Sequence, residues 1–198
     1  LLSRAWTSAL SGRPGPVVMA LPEDMLTSLT EAAPLTRPIT VHEPAPAAGA
    51  IEASLEVLSQ AKRPLLMLGG CNWTGEGRAA LQAFAEASDI PVVAAFRYQD
   101  QFDNHSGVYA GEAGVGMPAH VKRLIREADA ILAVNLRFGE MTTDGYTLLE
   151  VPTPRQRLVH VHGSEAELGK IYRPELAIQS GPNAFAKALH PVQGRWAD

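Results

Sequence analysis

Two adjacent glycines, Gly69 and Gly70, follow a continuous apolar run at residues 65–68. Such a run is typical of a parallel strand covered on both faces, and glycine permits positive φ angles and close backbone approach. Nucleotide-binding βαβ units hold phosphate at a turn of this kind. The turn matches neither G-x-G-x-x-G nor a P-loop, and Glu76 occupies the first turn of the next helix, where an anion would bind. We therefore favour a structural turn and keep Gly69 and Gly70 as candidate nucleotide-site residues.

Two arginines follow predicted strands at positions where a phosphate could bind. Arg137 follows the fourth strand, beside the expected reversal of strand order, and is the best single candidate for contact with a phosphate or an adenine. A structural salt bridge explains Arg137 equally well. Arg97 follows the second strand, where NAD-binding folds carry an acidic residue that holds the ribose hydroxyls. We interpret Arg97 as a solvated loop residue.

The single cysteine and a pair of histidines complete the candidates. Cys71 lies at the expected carboxyl edge of the sheet, but no pattern places a base beside it, so we expect a small buried hydrophobe. His160 and His162 alternate in a strand and therefore share a face, where they could share a metal. The pattern offers no third ligand. We predict neither a catalytic residue nor a metal site.

The composition excludes several classes of protein. The hydrophobic content of 46% is ordinary for a globular protein. The net charge of −4 is scattered along the chain, whereas a nucleic-acid surface needs clustered Lys and Arg. No apolar run approaches the roughly 18 residues of a membrane span. We expect a cytoplasmic protein that binds neither nucleic acid nor membrane.

Regular alternation of strands and helices begins at residue 50. Strands are predicted at 64–69, 91–96, 107–111, 130–135, 157–161 and 176–178. Helices are predicted from residue 50 to before Pro64, and at about 76–88, 118–128 and 184–189. This alternation predicts a doubly wound, mainly parallel six-stranded α/β sheet with helices on both faces, Rossmann-like, over residues 50–190. Residues 191–198 would begin a further linker.

The first 30 residues predict a helix–strand remnant of another domain. A helix ends near residue 11, and a short apolar strand follows at 17–21 without a partner strand nearby in the sequence. Residues 31–49 are rich in Pro, Ala and Thr, which is typical of an extended linker. The helical pattern begins at residue 1 without a Met, so we expect a piece of a longer protein. The strand at 17–21 should lie against the α/β domain or pair with another copy of the chain.

Several motifs together resemble a known family. Residues 11–24 (Ser-Gly-Arg-Pro-Gly-Pro-Val-Val-Met-Ala-Leu-Pro-Glu-Asp) look like the end of the pyrimidine-binding domain of thiamine-diphosphate enzymes of the acetolactate synthase type. Segments similar to the central domain of those enzymes follow in the family's order, at 63–70, 128–138, 158–162 and 167–170. The resemblance covers nearly the whole chain.

The resemblance implies a parent enzyme that uses thiamine diphosphate and magnesium, decarboxylates a 2-oxo acid and transfers the two-carbon fragment. The family's metal and diphosphate motif opens Gly-Asp-Gly, and Asp144-Gly145 lacks the preceding glycine. The activating glutamate belongs to a part of the pyrimidine domain that is missing here. The chain by itself should therefore be inactive, mainly structural and dimer-supporting. Its partners would be the pyrimidine- and diphosphate-binding domains of the same protein, in a homo-oligomer.

Acetolactate synthases hold a structural FAD in this domain, and the matching positions would be Gly69, Gly70 and Arg137. The sequence departs from that pattern, because His162 replaces an aspartate and the glycine-rich segment 111–116 carries an acid. We therefore do not expect FAD to be retained. The alternative hypothesis is a self-contained module that binds FAD, NAD or an adenine nucleotide.

Overall fold

The computed structural model describes residues 1–34, 36–37, 39–194 and 196. Its helices are α1 (Leu2–Leu10), α2 (Glu23–Thr27), α3 (Ala50–Ser59), α4 (Gly75–Ala87), α5 (Ala119–Glu127) and α6 (Pro182–Ala188). Its strands are β1 (Pro64–Leu68), β2 (Val92–Ala95), β3 (Tyr109–Ala113), β4 (Ala130–Val134), β5 (Arg157–His162) and β6 (Leu176–Gln179).

The six strands form one parallel sheet in the order β3-β2-β1-β4-β5-β6. The order reverses between β1 and β4, and the register pairs Leu68 with Val134, so both strands end at the same level. The turn after β1 and the loop after β4 therefore start side by side, where open α/β sheets bind ligands. The predicted doubly wound fold is confirmed.

Both faces of the sheet are buried, as the continuous apolar runs require. Within β1, Leu66 and Leu68 face one core with helices α3, α4 and α6. Leu65 and Met67 face the other core, which is covered by α5 and by the long connection from β4 to β5. All four side chains are at most 2% exposed. Burying a side chain of this size contributes about 1.5–3 kcal/mol, so the strands are held mainly by these two apolar layers.

Most predicted elements are present, and the third strand is displaced. It spans Tyr109–Ala113 rather than 107–111. The residues before it form a turn in which the Tyr109 N–H donates to the Ser106 carbonyl over 3.0 Å. The register with β2 also shifts between Val92 and Val93. Pairing with β2 therefore begins later than the apolar pattern indicates.

The prediction of a strand at 17–21 is wrong. The segment pairs with none of the strands in the described part of the chain, and Val18 is 94% exposed. Pro16 and Pro22 flank it and remove backbone donors that a ladder needs. Contact with the α/β domain and pairing with another copy of the chain both stay predictions. The segment leads into α2, whose first turn carries Glu23 and Asp24, favourable at a helix N-terminus.

Two segments outside the sheet contact the helices that cover it. The described residues between α2 and α3 contain neither helix nor strand, yet part of this linker contacts α6. After α6, the chain returns to the end of α4, where the Trp196 indole N–H donates to the Ser88 carbonyl over 2.8 Å. None of the helices in the described ranges is long and apolar enough to cross a membrane.

Candidate functional site

A cleft of about 1170 Å³ lies at the carboxyl edge of the sheet. Its walls come from the end of α1, the linker at 41–44, the turn after β1, and the residues that follow β4, β5 and β6. It includes the point where the strand order reverses, and is therefore the place where this fold class binds ligands.

Gly70 and Asn135 meet at this point of reversal. Gly70 has a φ angle of +72°, and a Cβ on it would lie 2.5 Å from the Asn135 carbonyl oxygen. Asn135 also adopts a left-handed φ of 55°, and its side-chain amide donates to the Cys71 carbonyl over 2.8 Å. Because Gly70 has no side chain, Asn135 can occupy the space next to it. Asn135 was not singled out from the sequence, although Asn tolerates positive φ better than most residues and its place after a buried strand was a usable signal.

The N-terminus of α4 is closed by protein groups. Thr74 caps the helix, its hydroxyl accepting from the Gly77 N–H over 3.0 Å. The Asn183 side chain accepts from the Thr74 N–H and donates to the Asn72 carbonyl, both over 2.8 Å. Gly77 is obligatory here, because a Cβ on it would overlap the Asn183 side chain. Sequence reasoning missed Asn183, which joins α6 to a turn 109 residues earlier.

A linker carboxylate covers the N-terminus of α6. Glu43 accepts from the Ala184 N–H over 2.5 Å and from the Asn183 side-chain amide over 3.1 Å. The neighbouring Pro44 carbonyl accepts from the Gly181 N–H over 2.8 Å. A Cβ on Gly181 would overlap Glu43. Nothing in the local sequence around Glu43 indicates this contact, since its partners lie about 140 residues away.

Arg137 is engaged in a salt bridge, one of the two explanations that its position allows. Its Nε lies 3.3 Å from Oε1 of Glu167, a carboxylate that is 8% exposed. The same oxygen lies 3.5 Å from Arg13 and 3.6 Å from Lys170. Three cations around one buried carboxylate leave that charge well compensated. Contact between Arg137 and a nucleotide stays a prediction.

The two histidines are buried, and a ring nitrogen of each forms a hydrogen bond with a backbone group. His160 Nε2 donates to the Leu136 carbonyl over 2.9 Å, and burial lowers the pKa of His160 to about 4. His162 Nδ1 accepts from the Ser164 N–H over 2.9 Å, and burial lowers its pKa as well. Their ring centres are 6.3 Å apart. The described residues include no group of three or more His, Cys, Asp and Glu that could hold a metal ion.

Cys71 and Arg97 are both exposed. The expectation of a buried Cys71 is wrong. The left-handed φ of 70° at Asn72 belongs to a turn at the sheet edge that leaves the thiol on the surface. Arg97 is a surface loop residue, as expected, with its guanidinium 5.0 Å from the centre of the Phe96 ring. The backbone N–H of Arg97 donates to the Glu112 carboxylate over 3.2 Å.

The charges in the cleft do not fit a dinucleotide such as FAD. Its ionised side chains in the described part of the chain are Glu43, Glu76, Glu165 and Lys187. Lys187 is already bound to Glu76 over 2.6 Å, and its ammonium lowers the pKa of that carboxyl. A pyrophosphate would therefore meet an excess of negative charge. The space beside Gly70, where a pyrophosphate could otherwise bind, is filled by Asn135.

The residues present do not fit thiamine diphosphate with a metal either. Asp144-Gly145 matches the last two residues of the family's Gly-Asp-Gly diphosphate motif, and it lacks the first glycine. The Asp144 carboxylate is bound to the Lys122 ammonium over 2.6 Å. That acid is therefore neutralised within the domain rather than presented to a cation.

Comparisons with known proteins bear on the same domain. A sequence model of the family "Thiamine pyrophosphate enzyme, central domain" matches residues 51–189. The chain is 30% identical over 183 residues to the acetolactate synthase large subunit of Parasynechococcus marenigrum (strain WH8102), covering 90% of this chain and 29% of that protein. It is 29% identical over 195 residues to the glyoxylate carboligase of Escherichia coli O157:H7, covering 97% of this chain and 32% of that protein.

A third relative is acetolactate synthase isozyme 1 large subunit of Escherichia coli (strain K12), 29% identical over 195 residues. That alignment covers 97% of this chain and 34% of the relative. The chain thus spans about a third of the length of the curated relatives it matches. The family match extends over more than half of the chain, from helix α3 to the end of α6. The chain belongs to the thiamine pyrophosphate enzyme family, and residues 51–189 are its central domain.

Proposed function

We propose that this chain is the non-catalytic central domain, with the end of the pyrimidine-binding domain, of a carboligase that depends on thiamine diphosphate and magnesium. The intact enzyme would decarboxylate a 2-oxo acid and transfer the resulting fragment to an acceptor. The relatives are acetolactate synthases and a glyoxylate carboligase, which supports carboligation of small 2-oxo acids. The cofactor supplies the carbanion chemistry when bound, and the protein supplies orientation.

One observation carries the structural role of this domain. At the carboxyl edge, beside the cleft, the groups best placed to bind a nucleotide are engaged in contacts within the chain: Asn135 at Gly70, Glu43 on α6 and Glu167 on Arg137. Those side chains therefore hold the linker and the loops together. We propose that the domain supports a homo-oligomer and positions the pyrimidine- and diphosphate-binding domains, in the cytoplasm.

The test of the activity uses the full-length enzyme. Supplied with thiamine diphosphate, magnesium and either pyruvate or glyoxylate, it should release carbon dioxide, and a reaction without thiamine diphosphate is the control. Further 2-oxo acids extend the panel if both of these are inert. An enzyme that decarboxylates none of them contradicts the proposal. The 198-residue chain alone should release no carbon dioxide under the same conditions.

A nucleotide-binding module is the second candidate function. It is favoured by the position of the cleft at the reversal of strand order in a sheet of Rossmann order. Purified chain would then carry flavin absorbance, or its melting temperature would rise with FAD, NAD or ADP. We expect neither, because the cleft carries an excess of carboxylates.

A further inference from the structure

A second groove of about 490 Å³, here called the α5 groove, lies on the face of the sheet that α5 covers. The end of α5 at Arg126 lines it, together with residues 146–151 of the connection from β4 to β5. Arg155 and Gln156, just before β5, line it as well. The α5 groove therefore lies toward the amino end of the strands, whereas the cleft described above lies at the carboxyl edge.

Large apolar side chains are concentrated around the α5 groove. Within residues 50–190, four such side chains are exposed, and three of them belong to the connection from β4 to β5. These are Met141, Tyr146 and Val151, which are 51%, 41% and 55% exposed. Tyr146 and Val151 line the α5 groove itself. Exposed apolar residues gathered in one place are typical of a surface that another molecule covers.

The connection presents Tyr146 in a fixed, strained turn. Asp144, Gly145 and Tyr146 have consecutive left-handed φ angles of 51°, 69° and 63°. This conformation is unfavourable for a bulky residue, and it persists only where the surrounding contacts impose it. Here the Lys122 ammonium binds the Asp144 carboxylate over 2.6 Å, and the Thr143 hydroxyl accepts from the Tyr146 N–H over 3.0 Å. The surface is therefore preformed, which lowers the entropy lost when a partner binds.

The α5 groove carries charges of both signs that are not paired with each other. Arg126 and Glu150 are exposed, and neither forms an ion pair with another described residue. The Arg155 guanidinium, by contrast, is engaged, because it donates to the Arg126 carbonyl. Arg126 and Glu150 thus remain as the cation and the anion that can meet a partner.

This pair of charges indicates what kind of partner fits the α5 groove. A nucleic acid needs clustered cations, and Glu150 would oppose it. Two copies related by a two-fold axis use the same patch on both sides, so that the patch must be complementary to itself. A cation and a carboxylate beside an apolar centre meet this condition. The charge pattern therefore favours a second copy of the chain.

We propose that the α5 groove is a two-fold interface between copies of this protein. Arg126 of each copy pairs with Glu150 of the other, and Tyr146 and Val151 pack at its centre. The interface is the contact through which the domain supports a homo-oligomer, and to that extent it rests on the proposed function. Tyrosine and arginine are among the residues that contribute most to the affinity of protein interfaces.

Sedimentation velocity of the full-length enzyme tests the interface by reversing charges. Arg126→Glu and Glu150→Arg each place like charges together at both symmetric contacts, which should raise the dissociation constant by roughly a hundredfold. At a concentration where wild type is fully assembled, each variant should have half the mass of wild type. A mixture of the two variants should recover the full mass, because every contact between unlike chains is again a cation with a carboxylate. The double variant should recover it without mixing.

Two controls separate the interface from a general effect of the substitutions. Glu52→Arg reverses an exposed charge on α3, which packs on the opposite face of the sheet, and should keep the wild-type mass. Val151→Asp should halve the mass in a way that mixing does not restore. Val115→Asp should leave the mass unchanged, since Val115 is 71% exposed but precedes α5 at the carboxyl edge. The unfolding transition of each variant establishes that it is folded.

Wild-type mass in the folded charge-reversal variants, or folded variants whose mixture stays at half mass, would overturn the interface. Carbon dioxide release is measured on the same samples, so the two proposals fail separately. An enzyme that decarboxylates a 2-oxo acid and assembles through another surface refutes the α5 interface alone. A full-length enzyme that is monomeric contradicts both the interface and the proposed support of a homo-oligomer.

Discussion

Gly70 and Asn135 form a direct contact where the strand order of the sheet reverses. A Cβ on Gly70 would lie 2.5 Å from the Asn135 carbonyl oxygen and closer still to its side-chain amide. The amide in turn holds the Cys71 carbonyl, so the turn after β1 is fastened to the loop after β4. A phosphate-binding glycine turn needs open space at this position, and here protein fills it.

Gly70→Ala should destabilise the chain by about 2–4 kcal/mol, because it combines a positive φ of 72° with a steric overlap. Gly75→Ala is the matched control, since Gly75 begins α4 and a Cβ there meets nothing within 4 Å. That variant should be neutral or slightly more stable. Denaturant unfolding measures both, and equal effects in the two variants would contradict the role of the Gly70 contact.

Asn183 is predicted to be a main polar support of the carboxyl edge. Its side chain bonds Thr74, Asn72 and Glu43 and is buried. Asn183→Ala should cost about 2–3 kcal/mol, because buried partners are left unsatisfied. Asn104→Ala, in an exposed turn, serves as the control and should change the unfolding free energy by less than about 0.5 kcal/mol. A loss of similar size in both variants would argue against this network.

His160 should make stability depend on pH. Burial of the ring lowers the pKa of His160 in the folded chain to about 4, from an ordinary value of 6.5. Between these values the unfolded state binds more protons, so stability is full above about pH 6.5 and falls as the pH is lowered toward 4. The fall attributable to this group is up to about 3 kcal/mol.

The measurement compares unfolding free energies of wild type and His160→Gln from pH 7 to pH 4. Glutamine can still donate to the Leu136 carbonyl but does not titrate, so its curve should be flatter over this range. His162 contributes in the same direction and is unchanged in both proteins. His105→Gln, in an exposed turn, controls for loss of an imidazole and should change the unfolding free energy at pH 7 by less than about 0.5 kcal/mol. Parallel curves for wild type and His160→Gln would refute the assignment.

The ion pair between Arg157 and Glu175 should contribute little to the stability of the fold, despite its good geometry. Two guanidinium nitrogens of Arg157 bind the two carboxylate oxygens over 2.9 and 2.6 Å, and the side chains are 38% and 42% exposed. A double-mutant cycle with Arg157→Gln and Glu175→Gln should give a coupling of about 0.3–1 kcal/mol that shrinks in high salt. A coupling above about 2 kcal/mol would show that solvent screens this pair less than its exposure indicates.

The local sequence pattern was sufficient to predict most of the α/β fold. The continuous apolar runs predicted buried parallel strands, and their alternation with helical periodicity predicted the doubly wound sheet, because burial on two faces leaves no polar alternation. The third strand was displaced by two residues, and the strand at 17–21 was wrong, since an apolar run forms a strand only beside a partner strand. The residues of the run at 17–21 do not show whether such a partner strand is present.

The contacts at the carboxyl edge were decided by the tertiary structure. Glu43 meets α6 across about 140 residues, and Glu167 gathers Arg13 across 154. Such pairs depend on where the strand order brings distant ends together, and a carboxylate in a linker looks like any solvated charge in the sequence. The amino-acid sequence thus determined the strands, the helices and the family, through periodicity and motif. The folded chain determined that the Gly70 turn, Arg137 and the start of α6 are held by side chains of the chain itself, because topology alone brings those groups within hydrogen-bonding distance.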